Sequence, residues 1–148
     1  MMGTLALDRK LLAILAADMV GYSKAMEADE IGTIKRLKAI RADLINPAIS
    51  QRHGTVVKLM GDGALVVFDS VVDAVACAAE FQNTVAVRNA DLPEPERLIF
   101  RVGVNLGDVA LVDGDVYGDG VNVAARLEQL AEPGRRDGVG DGIRPSRT

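Results

Sequence analysis

The chain has 148 residues, 49% of them hydrophobic and 26% charged, which is enough for one buried core, too little for two, and far from the balance of a disordered chain. A net charge of -4 and a pI near 5.0 give a field that repels nucleic acid, so a polyanionic substrate has to be held by metal ions or a few local cations. One cysteine, Cys77, and one histidine, His53, exclude an internal disulfide and a zinc set.

Leu12-Ala13-Ile14-Leu15-Ala16 is a short continuous apolar run, which predicts a strand buried on both faces with a polar exit loop at Asp18 to Ser23. The apolar stretch Leu11 to Val20 is interrupted by Asp18 and falls well short of the roughly 20 residues of a membrane span. No basic leader with a cleavage site stands before it, so the expectation is a cytoplasmic domain with no membrane segment. From Ala28 to about Gln51 the residues Ile31, Ile34, Leu37, Ile40, Leu44 and Ala48 recur at helical spacing, with Pro47 expected to end or bend the helix near Asn46.

Thr55 to Met60 and Ala64 to Phe68 flank Gly61-Asp62-Gly63, a hairpin pattern. Ser70 and Asp73 open a second helix over roughly 70–89. Phe100, Val102 and Val104 alternate with polar residues in a strand that runs on into Val109 to Val112, read as another strand pair. Val121, Ala124, Ala125, Leu127 and Leu130 form a third helix stopped by Pro133-Gly134. This order predicts an α+β, ferredoxin-like βαββαβ unit over residues 1–134, with a mixed sheet and helices on one face. Residues 135–148, rich in glycine and arginine without apolar periodicity, are expected to be an irregular or disordered tail.

Asp18 ends a buried strand, a costly place for a carboxylate unless it is paired or binds a cation, and Asp62 sits at a hairpin tip. If the strand lies beside the hairpin, the two could bridge a pair of hard cations roughly 3.5–4 Å apart. Taken alone they fit better as a loop cap and an ordinary Asp-Gly turn, given how common such turns are. Asn122 and Arg126 are i and i+4 on the third helix, able to orient a ribose and clamp a phosphate, or simply a solvated face. Lys58 and Asp115 are unremarkable singly. His53 reads as a surface residue, Cys77 as a small core residue, and Lys35 to Arg41 as a solvated face.

The combination is specific. Ala17-Asp18-Met19-Val20-Gly21-Tyr22-Ser23, Lys58-Leu59-Met60-Gly61-Asp62-Gly63 and Tyr117-Gly118-Asp119-Gly120-Val121-Asn122-Val123-Ala124-Ala125-Arg126-Leu127 occur in this order. Together they resemble the metal motifs and transition-state helix of class III adenylate and guanylate cyclases, particularly the soluble bacterial type. The resemblance covers nearly all of residues 11–134.

That resemblance implies conversion of ATP to cyclic AMP and pyrophosphate with two divalent metal ions, Mg²⁺ or Mn²⁺. It makes Asp18 and Asp62 metal ligands, with the Met19 carbonyl a possible third. Asn122 orients the ribose and Arg126 stabilises charge on the α-phosphate. Lys58 and Asp115 choose the base, donating to adenine N1 and accepting from its 6-amino group, contacts that guanine would not satisfy. The family's arrangement also implies a two-fold homodimer with two shared, equivalent active sites, in which the metal motif of one subunit faces the base-binding and transition-state residues of its partner.

After Gly134 the family pattern of further strands gives way to Arg135-Arg136-Asp137-Gly138, as in a truncated or frameshifted gene. The last strands are therefore expected to be missing, with very low activity and modest stability for the 148-residue chain and an active homodimer in the family-like frame. The alternative is a catalytically inactive module acting in dimerisation or regulation. A cyclic-dinucleotide synthase is weaker, since its Gly-Gly-Asp/Glu-Glu-Phe turn is absent from the sequence.

Overall fold

The structure is a computed structural model that describes residues 8–134. The expectations placed on residues 135–148, an irregular tail and missing last strands, lie outside the described residues. In chain order the elements are β1 (Asp8–Met19), α1 (Tyr22–Ala28), α2 (Glu30–Ile40), a π-helical turn (Arg41–Ile45) and α3 (Asn46–Gln51). They continue with β2 (Thr55–Met60), β3 (Gly63–Phe68), α4 (Val71–Ala90), a 3₁₀ turn (Glu94–Glu96), β4 (Phe100–Val112), β5 (Asp115–Tyr117) and α5 (Asp119–Leu130).

The sheet order is β2-β3-β1-β4-β5. The expected ferredoxin-like core is present, with two details corrected. Every strand pair among the described residues is antiparallel rather than mixed. The helices also cover both faces of the sheet. Along β1, Ala13, Leu15 and Met19 pack with α2, α3 and α4 through Leu37, Ile40, Ile49, Phe81 and Val85, whereas Leu12, Ile14 and Ala16 pack with Ala124 of α5 and Val116 of β5. Successive side chains of a strand point to opposite faces, so a continuous apolar run fits a central strand covered on both sides.

The residues expected as a separate strand pair after Phe100 form one long strand, β4, which pairs with β1 from Met19↔Phe100 to Asp8↔Leu111. β5 then folds back on β4 from Val112↔Asp115. Asp113 and Gly114, with φ of 51° and 79°, supply the left-handed backbone of that tight turn.

Pro47 does not end the helix, which runs on from α2 through the π turn into α3. Lacking an amide to donate to the preceding turn, it follows a widened turn in which Asn46 N–H donates to the Arg41 carbonyl, five residues back. α1 has no fully buried residue, so it leaves little apolar stripe by which to foresee it. α4 starts as expected, with the Ser70 hydroxyl accepting from the Asp73 amide at 3.3 Å.

Two local features position the site. The hairpin loop between Met60 and Gly63 is Gly61-Asp62, and Gly61 takes the positive φ of 59° that such a loop demands at its first position. On β2 the register shifts between Val56 and Lys58, an extra residue that turns every later side chain to the other face. Lys58 therefore lies opposite Leu65, whose side chain belongs to the layer beneath α5.

Candidate active site

Asp18 and Asp62 meet through the backbone. Met19 N–H donates to Asp62 Oδ2 at 3.0 Å, which fixes the hairpin tip against the end of β1. The Arg41 guanidinium donates to the Gly61 carbonyl at 2.8 Å and steadies the same loop from α2's side. Both carboxylates border one cavity of about 350 Å³, together with Lys58, Val116, Val121, Ala125 and Glu128. That is within the roughly 300–1,000 Å³ of small-ligand sites.

Lys58 Nζ lies 3.4 Å from Asp115 Oδ2, so the two proposed base-reading residues, one on β2 and one on β5, converge. Asp115 also accepts from the Val116 amide at 2.8 Å. That hydrogen bond first, and the Lys58 ammonium second, hold its carboxyl below the usual carboxylate range.

Asp18 has neighbours that sequence reasoning missed. Opposite it in register is Arg101 of β4, whose Nε and Nη2 lie 3.4 Å from Asp18 Oδ1 and Oδ2. The same Nε is 3.4 Å from Glu128 Oε2. Gln129 Nε2 donates to Asp18 Oδ2 at 3.4 Å and to Glu128 Oε1 at 2.9 Å. The Glu128 carboxyl is buried; desolvation, then the proximity of Asp18, holds it well above the usual carboxylate range. Arg101 and Asp18 are 83 residues apart, and only the strand register could have paired them.

Asn122 and Arg126 are exposed. α5 turns Val121, Ala125 and Glu128 to the cavity, so the structure does not bring Asn122 or Arg126 to the carboxylates of their own chain. Met19 is buried and enters the site through its amide.

The donor set suits a hard divalent cation. Asp18 and Asp62 offer carboxylate oxygens, and among the described residues no group of three or more His, Cys, Asp or Glu side chains is placed as a complete metal cage. Mg²⁺ is typically held by one or two carboxylates plus substrate phosphates and water. A second cavity, of about 300 Å³, lies between the sheet and the helices; apart from Arg41, Asn46 and Asp62 it is lined by apolar residues and Cys77.

This is the architecture of a nucleotidyl cyclase domain: residues 8–136 match the adenylate and guanylate cyclase catalytic domain, and the chain belongs to that family. It is 51% identical over 138 residues to the Rhizobium meliloti (strain 1021) protein named "Putative adenylate cyclase 3", covering 93% of this chain and 23% of that protein. Its identity to an adenylate cyclase of Streptomyces coelicolor (strain ATCC BAA-471 / A3(2) / M145) is 34% over 128 residues, or 84% of this chain and 31% of the relative. The chain thus spans under a third of the length of these two relatives. Among solved structures, an adenylate/guanylate cyclase/hydrolase from Silicibacter pomeroyi superposes with a TM-score of 0.82 at 50% identity, covering 87% of this chain and 75% of that one.

Proposed function

We propose that this domain converts ATP to 3′,5′-cyclic AMP and pyrophosphate with two divalent metal ions, as a cytoplasmic homodimer that signals through the cyclic nucleotide. The observations that carry the reading are the convergence of Asp18 and Asp62 on one cavity and the pairing of Lys58 with Asp115. Asp18 and Asp62 would hold the metal ions, with the Met19 carbonyl a further candidate. When bound, the ions would supply the charge that acidifies the ribose 3′-hydroxyl and offsets that of the departing pyrophosphate.

The chain's own residues do the rest. Lys58 donates to adenine N1, and Asp115, ionised, accepts from the 6-amino group. Lys58 and Asp115, together with Asn122 and Arg126 on the exposed side of α5, serve the metal ions held by a second copy, where Asn122 orients the ribose and Arg126 stabilises the α-phosphate as the 3′-oxygen attacks in line. The relatives named adenylate cyclase support the substrate class.

The test is cyclic nucleotide output from the chain continued in the family-like frame, given ATP or GTP with Mg²⁺ or Mn²⁺, alongside D18A and D62A in the same frame. Cyclic AMP from the unmutated protein, lost in both variants while each keeps its circular dichroism spectrum, is expected. Unmutated-level turnover in either variant overturns the metal assignment.

A further inference from the structure

Arg101 is placed as a donor shared between two carboxylates. Its Nε stands 3.4 Å from Asp18 Oδ1 and 3.4 Å from Glu128 Oε2, and both distances are long for charge-assisted hydrogen bonds, which run at about 2.7–2.9 Å. Neither acceptor therefore holds it fully. Glu128 Oε2 is buried and makes no hydrogen bond, so its 3.4 Å ion pair with Arg101 Nε leaves room for a closer pairing. The far end of the guanidinium is tethered at 3.5 Å to the Gln129 carbonyl, a pivot on α5 beside Glu128. The three residues sit in three different elements, β1, β4 and α5, and the Asp18 and Glu128 carboxylates border the same cavity.

A guanidinium and a divalent cation cannot both sit close to one carboxylate without strong repulsion, since like charges a few ångströms apart still repel at a protein-surface dielectric. We propose that Arg101 is the internal counter-ion of Asp18, and that capture of a divalent cation by Asp18 hands Arg101 over to Glu128. In this arrangement Arg101 keeps the carboxylates of β1 and α5 side by side while no metal is present and sets the cation concentration at which Asp18 is released. Glu128 is a positioning residue: it draws Arg101 off Asp18 and touches no metal. The inference rests on the reading of Asp18 as a metal ligand.

The experiment is a titration of Mn²⁺ alone into the full chain, without nucleotide, counting free ion by electron paramagnetic resonance. R101M is expected to tighten Mn²⁺ binding several-fold, because a competing charge is gone. E128Q is expected to weaken it several-fold, because Arg101 then stays on Asp18, and the E128Q effect should vanish when R101M is also present. Equal weakening by E128Q with and without R101M would make Glu128 a direct ligand and overturn the proposal, as would unchanged or weaker binding in R101M of normal thermal midpoint. If R101M does not fold, the arginine Nε–H resonances of unmutated protein and E128Q decide it. A Mg²⁺-dependent shift of one such resonance, lost in E128Q, supports the hand-over; a shift identical in both, or none in either, overturns it. D18N separates the two levels of the reading. Binding retained in D18N defeats the metal assignment itself, whereas binding lost in D18N with R101M unchanged defeats only the role of Arg101.

Discussion

The α-carbon of Gly103 on β4 faces the backbone of Glu128 on α5 so closely that a β-carbon there would collide with the backbone of Glu128 and Ala124. The absence of a side chain is what lets the helix lie on the strand and bring Glu128 down to Arg101. Backbone cannot swing aside as the end of a flexible side chain can. Gly103→Ala is therefore expected to lift α5 from the sheet and to cost about 1–3 kcal/mol, the usual range for overpacking. Urea denaturation monitored by circular dichroism measures it. A variant as stable as the unmutated protein would show that α5 is free to shift.

The proposed base-reading pair gives a second prediction. The Lys58 and Asp115 side chains, 3.4 Å apart, are partly solvated, and exposed ion pairs of this kind contribute little to stability. Replacing both should leave the fold stable. K58E alone would set two carboxylates against each other, so the double variant K58E/D115C is the informative one. It is expected to erode the preference for ATP over GTP in a cyclic nucleotide assay while moving the thermal midpoint little. Equal output of cyclic GMP and cyclic AMP from the unmutated protein would remove both residues from base selection.

Much of this was legible before any coordinates. The unbroken run Leu12 to Ala16 could be central to a sheet covered on both faces, and so it is. The Ser70 cap, the altered helical turn before Pro47 and the hairpin around Gly61 follow from local backbone chemistry, which a sequence displays directly. What escaped is relational. That Arg101 opposes Asp18 depends on the β1–β4 register, and register is set by the whole sheet. The direction of Lys58 depends on the bulge between Val56 and Lys58; Val56-Val57-Lys58 looks like any other stretch of strand. The side of the sheet that α5 occupies was misjudged because its apolar stripe says that it packs, not on which face. The assignment of Asp62 to the site came from motif resemblance, and its bond to the Met19 amide is a physical reason why that hairpin stays beside β1.

Cys77 supports a prediction about alkaline pH. Burial first, and Glu80 second, push its thiol up from 9.0 to about 12, with Arg52 opposing. Because the folded state holds the proton more tightly than the unfolded chain, the contribution to stability is fully present below about pH 9. It is lost progressively as pH rises from there toward about 12. C77A should be somewhat less stable at pH 7 through lost packing, yet decline less steeply than the unmutated protein between pH 9 and 11. Parallel declines in chemical denaturation would mean that Cys77 ionises as readily in the fold as outside it. The native thiol should also resist alkylation at pH 8, since the reactive species is the thiolate.

The exposed position of Asn122 and Arg126 supplies the sharpest test of a shared site. α5 spends its inward face on Ala124 and Glu128, both buried, and its cavity-facing positions on Val121, Ala125 and Glu128, so Asn122 and Arg126 project from the remaining side. If they act across a two-fold interface, a chain lacking Asp18 and a chain lacking Arg126 are complementary defects. D18N alone and R126A alone should each give almost no cyclic AMP. An equal mixture, allowed to exchange subunits, should recover about a quarter of the unmutated rate, because half of the randomly formed dimers are mixed and each mixed dimer carries one intact site of two. Co-expression with two affinity tags and tandem purification isolates the mixed dimer, which should then work at about half the unmutated rate per dimer. A purified mixed dimer with no activity would place both sets of residues in one chain's own site, or remove Arg126 from the chemistry, and the shared-site reading would fall.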